Sequence, residues 1–322
     1  MKLENKPTTI TLHNFTTEAG AIYATLNLSY QVFGLPLHAA PIVLVNHALT
    51  GNSQVVGDNG WWNELIGANK TIDTTKYTVL AFNVPGNGFD GAVIENYLDF
   101  TARDIAKIFI KGIKLLDVAK LYAIIGGSVG GGIAWEMVAL EPTITQKLIP
   151  IATDWKATDW LIANCFLQEQ ILNNSSKPIQ DARAHAMLCY RTPESFAAKF
   201  QRTINEQLAI FNVESWLLHH GEKLQQRFQL ASYKMMNQLL KTIDITRNRS
   251  SFENTIEAVT AEIHIIAINS DLFFTASENK TTFEQIQILN KKVSYQEIVS
   301  IHGHDAFLIE YKQLHNLLQD LF

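Results

Sequence analysis

Between Leu121 and Leu140 the chain reads LYAIIGGSVGGGIAWEMVAL, a run of twenty residues whose one charge is Glu136. A stretch this long and apolar could cross a bilayer as a helix. Five glycines (126, 127, 130, 131 and 132) interrupt its middle, however, and no second such stretch follows. Glycine weakens a helix at every interior position. The better reading is a buried strand, a tight glycine turn and a buried helix, which excludes a membrane span and demands a core able to cover both elements. With 47% hydrophobic and 18% charged residues, the 322-residue chain can supply that core.

The rest of the chain supports a layered fold around this segment. Two alternating runs, near Thr8–Asn14 and Ile22–Phe33, read as paired antiparallel strands. Short unbroken apolar runs follow at Ile42–Asn46, Tyr77–Asn83, Leu121–Ile125 and Leu148–Ala152, the pattern of parallel strands buried on both faces. Thr101 with Asp104 three residues on marks a helix start, and apolar Ile105, Ile108, Ile110, Ile113 and Leu116 continue it. Strands alternating with helices predict an α/β fold with a parallel sheet.

That rhythm stops near Thr153 and resumes with Ile263–Asn269, a helix over Thr282–Leu289, the strand-like Val293–Val299 and a closing helix over Ala306–Leu321. Residues 153–257 are helical in pattern with no convincing strand. They read as a lid inserted into one core built from 1–152 and 258–322. The net charge of −5 lacks the basic footprint that nucleic-acid binding requires. Two cysteines in apolar surroundings, Cys165 and Cys189, and an N-terminus without an apolar signal core predict a cytoplasmic protein. The ten histidines show no metal-ligand spacing, and His219-His220 reads as a helix surface pair.

Gly126-Gly127-Ser128-Val129-Gly130 fits G-x-S-x-G between a strand and a helix, the turn that pushes a nucleophilic serine out at a strand's C-terminal end. Serine needs a base, and the base an orienting acid. Asp271 follows the strand-like run Ile263–Asn269, and His304 follows the last one, so all three emerge at the same sheet edge. His302 competes with His304. Gly303 gives His304 the freer approach at the loop tip, and His302 reads as a strand-end residue. Oxyanion donors are expected from the backbone N–H of Val129 and, in the loop 46–52, of Leu49. His47 is as suited to holding that loop as to touching substrate.

At these residues the chain resembles a known family. HALTGN at 47–52, WWNELIG at 61–67, GGSVGG at 126–131, SDLFF at 270–274 and GHDAFL at 303–308 are similar to segments of homoserine O-acetyltransferases. The likeness continues through ARAHAMLCYR at 182–191, KFQR at 199–202, VESWLLHHGEKLQQRF at 213–228 and SY at 232–233. The resemblance implies an α/β-hydrolase fold, a mostly parallel sheet of about eight strands with a helical lid. It also implies ping-pong acetyl transfer from acetyl-CoA to homoserine in methionine biosynthesis, with no bound cofactor and no metal. Ser128 would be the nucleophile, His304 the base and Asp271 its orienter. Arg183 would bind the substrate carboxylate and Asp305 its amino group, roles that suit a guanidinium fork and a carboxylate. A homodimer through the lid, small-molecule substrates, and no nucleic-acid or membrane partner complete what the likeness implies.

The chain departs from the family at VPGNGFDGA (84–92), at Val129, where methionine is usual, and at Glu169, where arginine is common. A water-accepting esterase or thioesterase, or transfer with serine as acceptor or succinyl-CoA as donor, stays open on the sequence alone.

Overall fold

The computed structural model describes residues 6–322. The strands of its main sheet are β1 (Thr8–Thr16), β2 (Ile22–Gly34), β3 (Ile42–Asn46), β4 (Thr78–Phe82), β5 (Leu121–Gly127), β6 (Thr145–Ile151), β7 (Glu262–Ile268) and β8 (Val293–Ile298). They form one sheet in the order β1-β2-β4-β3-β5-β6-β7-β8. β1 and β2 pair antiparallel from Thr8↔Tyr30 to Thr16↔Ile22, and β2 joins β4 antiparallel. Every later pairing is parallel, so β3 to β8 all end at one edge.

The unbroken apolar runs follow from two covered faces. Val43 and Val45 of β3 and Ile125 of β5 point into one cluster with Trp62 and Phe307. Leu44 and Ile124, one residue out of step, point into the other. Helices α1 (Ala102–Leu115) and α2 (Val129–Leu140) cover that second face. α1 begins where the sequence predicted, with Thr101 and Asp104 forming a reciprocal capping box. The stretch from Leu121 to Leu140 is β5, a turn and α2, and among the described residues no helix is long and apolar enough to cross a membrane.

Between β6 and β7 come α3 (Asp159–Asn174), α4 (Pro178–Tyr190), α5 (Pro193–Phe200), α6 (Asn212–Gln225), α7 (Leu230–Lys241) and α8 (Phe252–Ala258). A two-residue hairpin, Ile204–Asn205 with Ile210–Phe211, interrupts them, too short to leave an alternating pattern in the sequence. Glu136, the one charge of the opening segment, ties this block to the core. It is fully buried on α2, accepts from Arg103 Nε at 2.9 Å, and lies 3.6 and 3.8 Å from Arg247 and Arg249. A lone buried carboxylate would be costly, and three guanidiniums offset that cost.

Two elements differ from the sequence reading. α9 (Ala276–Ile288) begins well before Thr282, because its first turn is polar and only the capping box of Thr275 and Glu278 announces it. The closing helix is broken: a 3-10 turn at Gly303–Leu308 precedes α10 (Tyr311–Leu318). Phe307 accounts for the break. Its ring meets Trp62 edge-on at 6.3 Å and lies so close to Gly127 that a Cβ there would come within 2.5 Å of it. A tight turn buries Phe307 at that point while keeping His304 over the strand ends.

Candidate active site

Ser128 caps α2 with φ 56° and ψ −131°, a left-handed conformation that costs on the order of 1–3 kcal/mol and persists only where the surroundings enforce it. Its N–H donates to Ile151 O at 2.9 Å, which pins the turn to β6. Gly130 enforces it from the other side. A Cβ there would sit 2.4 Å from Asn46 O and 2.7 Å from His47 O, so α2 starts directly against the end of β3.

Asp271 and His304 arrive from beyond the ends of β7 and β8, on the far side of β6 from Ser128. His304 Nε2 lies 2.9 Å from Ser128 Oγ, and His304 Nδ1 lies 2.7 Å from Asp271 Oδ2. The other carboxylate oxygen accepts the Phe273 and Phe274 N–H groups at 2.7 and 3.0 Å, which fixes the acid in place. Against a carboxylate, Nδ1 carries the hydrogen and Nε2 is left as the acceptor facing Ser128. All three side chains are at most 5% exposed. Tyr190, Phe273, Phe274 and Phe307 surround the imidazole with ring centroids 5.2–5.9 Å away. His302 points elsewhere: its Nδ1 meets Ser195 Oγ at the start of α5, 2.9 Å away.

Leu49 and Val129 are buried, and neither backbone N–H has a hydrogen-bond acceptor among the described residues. His47 sets the shape of the Leu49 loop. Its Nδ1 donates to Ala48 O at 2.8 Å, and its Nε2 accepts from Val84 N–H at 3.0 Å, so the divergent 84–92 loop and the Leu49 loop are joined through one imidazole. Burial pushes the His47 pKa down to about 4, against a smaller upward pull from the Ala48 carbonyl. Between pH 4 and 6.5 the folded protein therefore binds fewer protons at this site than the unfolded chain, so this histidine's contribution to stability rises with pH. His47→Ala is expected to flatten that rise and to cost about 1–3 kcal/mol by stranding the Val84 N–H. Urea unfolding of both proteins at pH 5 and pH 7 reads both effects.

Arg183 of α4 is half-buried, its guanidinium carbon 5.8 Å from the Tyr190 ring centre, and it forms no ion pair among the described residues. Asp305 also acts on Tyr190 and is already engaged, accepting from Arg191 Nε at 2.9 Å. Burial pushes the Tyr190 hydroxyl well above its ordinary pKa; Tyr233 and Asp305 add to this and Arg183 opposes it. A cavity of about 10 Å³, lined in part by Leu49 and by Tyr190 and Phe273, two of the rings that pack on His304, has room for a single water. Glu169 stands away from the triad, accepting from the Tyr97 hydroxyl at 3.2 Å and lying 3.6 Å from Lys241.

Sequence reasoning passed over Arg191, the partner of Asp305, and Arg227, whose Nη1 donates to Thr50 O at 2.9 Å beside Leu49. Both lie in segments that carry the family resemblance, which was the one signal available. The histidine pair on α6 is also not uniform: His219 is exposed, whereas His220 is half-buried against Trp216, 4.3 Å between ring centroids.

A serine on a left-handed turn, backed by histidine and aspartate at the C-terminal edge of a mostly parallel sheet, defines a class. Residues 41–308 match the family model described as alpha/beta hydrolase fold. The structure is similar to esterase E22, with a TM-score of 0.87 over 98% of this chain and 99% of that one, at 16% identity; that likeness concerns the fold alone. At the sequence level the chain is 31% identical to the homoserine O-acetyltransferase of Chloroherpeton thalassium, over 94% of this chain and 85% of that one. It is also similar to the crystal structure of the Staphylococcus aureus homoserine O-acetyltransferase, with a TM-score of 0.83 at 26% identity, covering 98% and 95% of the two chains. The chain belongs to the homoserine O-acetyltransferase family of α/β-hydrolase-fold enzymes.

Proposed function

We propose that this enzyme transfers an acetyl group from acetyl-CoA to the hydroxyl of L-homoserine through an acetyl-Ser128 intermediate. The observation that carries this reading is the hydrogen-bonded line Ser128–His304–Asp271, at 2.9 and 2.7 Å, in a chain with full-length likeness to homoserine O-acetyltransferases. His304 Nε2 takes the Ser128 hydroxyl proton as Oγ attacks the thioester carbonyl. The resulting oxyanion faces the free N–H groups of Leu49 and Val129. As the tetrahedral adduct collapses, His304 passes the proton to the departing sulfur, and CoA leaves as the thiol. Homoserine then enters, His304 removes its hydroxyl proton, and the alkoxide attacks the acetyl-serine. Collapse returns the proton to Ser128 and releases O-acetylhomoserine. Asp271 holds the imidazole tautomer throughout and stabilises the imidazolium formed in each half.

In this reading Arg183 takes the acceptor carboxylate, and Asp305, steadied by Arg191, takes its ammonium group. Residues 153–257 act as the lid over a core made of 1–152 and 258–322. The exposed Phe166 and Leu167 of α3 and Leu188 of α4 support a homodimer through that lid. The enzyme needs no bound cofactor, uses acetyl-CoA as cosubstrate, and works in the cytoplasm. Arg183→Met should raise the KM for homoserine about 10- to 100-fold, the loss of a charge-assisted pair, with far less effect on the KM for acetyl-CoA. Steady-state CoA release with each substrate varied in turn measures both. Equal shifts for the two substrates would remove Arg183 from the acceptor site.

A further inference from the structure

α5 ends at Phe200, and the chain turns through Gln201 and Arg202 into the short hairpin that precedes α6. Between these elements lies an open groove of about 360 Å³, within the range of small-ligand sites and walled by Phe196, Phe200, Phe211 and Val213. Two cations stand over its rings. Lys199 Nζ is 5.3 Å from the Trp216 centroid and 5.8 Å from that of Phe200, and the Arg202 guanidinium carbon is 5.7 Å from that of Phe211. Neither forms an ion pair among the described residues, and no carboxylate lines the groove. The adjacent Glu214 is occupied in capping α6, where it accepts the Phe211 N–H at 2.7 Å.

A line of packed side chains leads from the groove toward the catalytic centre, its ring pairs meeting edge-on or tilted. Phe200 lies 5.5 Å from Trp216, and Trp216 lies 4.3 Å from His220. Arg183 acts electrostatically on His220 and lies over Tyr190, which in turn packs on His304. Burial pushes the His220 pKa down to about 4, and Arg183, His219, Lys223 and Lys199 push it the same way. Arg183, Lys223 and Lys199 thus lie along the way from the acceptor site to the aromatic groove at the lid surface.

We propose that this groove docks the nucleotide end of acyl-CoA, with adenine stacked on the Phe200 and Phe211 rings and the phosphates on Lys199 and Arg202. Aromatic faces accept a purine through its π-surface, and cations at the rim meet phosphate oxygens through charge-assisted hydrogen bonds. A purely apolar occupant would leave both cations without a partner. The pantetheine arm sets the nucleotide well away from the thioester, as the line of rings sets this groove away from Ser128. The proposal rests on the reading that the donor is an acyl-CoA.

The test compares acetyl-CoA with S-acetyl-N-acetylcysteamine, a thioester donor without a nucleotide, in the full chain and in the double variant Lys199→Glu/Arg202→Glu. Both side chains are exposed, so the fold should survive, which the melting temperature checks. The preference for acetyl-CoA, as the ratio of the two kcat/KM values, should fall at least about tenfold with the loss of two charge-assisted contacts. Adenosine 3′,5′-bisphosphate should inhibit the original protein competitively against acetyl-CoA and inhibit the variant much less. An unchanged ratio with equal inhibition would overturn the docking site while leaving the reaction intact. An original protein that accepts the small thioester but shows no preference for acetyl-CoA would overturn the donor reading, and the docking site with it.

Discussion

Ser128→Ala should lower turnover of acetyl-CoA and homoserine by roughly 10⁴- to 10⁶-fold, the range seen when a serine nucleophile acting in concert with its base is removed. The loss should be confined to chemistry. Alanine can occupy the same φ of 56° at no more strain than serine, and the N–H to Ile151 O bond is a backbone bond that the substitution keeps. The one side-chain contact removed is the 2.9 Å bond to His304 Nε2. Stability should therefore stay within about 1 kcal/mol of the parent, readable by urea unfolding beside the CoA-release assay. Turnover within tenfold of the parent would exclude Ser128 as the nucleophile.

Asp271→Asn should cost about 10⁴-fold in kcat through a different route, the tautomer of His304. The asparagine oxygen can still accept from Phe273 and Phe274 N–H, as Asp271 Oδ1 does now at 2.7 and 3.0 Å. The amide nitrogen then replaces the oxygen that faces His304 Nδ1 at 2.7 Å. An amide donor there makes Nδ1 the acceptor and puts the ring hydrogen on Nε2, pointed at Ser128, where it can no longer take a proton. The packing of four aromatic rings around His304 prevents the imidazole from flipping to escape this. Steady-state kcat with an unchanged melting temperature supports the orienting role. A variant that keeps a tenth or more of the parent's kcat would show that the rings alone orient His304.

The parts of this molecule that could be read in the sequence are those where local pattern and tertiary position agree. Unbroken runs such as Ile42–Asn46 and Leu121–Ile125 signalled strands because both faces of the sheet are covered. Ser128, Asp271 and His304 each follow such a run, and parallel pairing then carries all three to one edge. The start of α9 was hidden because its first turn carries no apolar periodicity. The break after Leu308 was hidden because it answers to Trp62 and Gly127, residues far away in the chain. Long-range polar contacts were least legible. Arg191 on Asp305 and Arg227 on Thr50 join the helical block to the core across more than a hundred residues, and nothing local at Arg191 or Arg227 indicates a partner. His47 is an intermediate case, its place in the loop evident and its bond to Val84 visible only once the fold is formed.

The covalent intermediate is the centre of this account, and intact-protein mass spectrometry observes it directly. Mixed with acetyl-CoA alone, the protein should gain the mass of one acetyl group, located on Ser128 by peptide mapping and missing in Ser128→Ala. Homoserine should discharge that adduct far faster than buffer does, with O-acetylhomoserine as the product. No adduct, or an adduct that water removes as quickly as homoserine does, would contradict acyl transfer through Ser128.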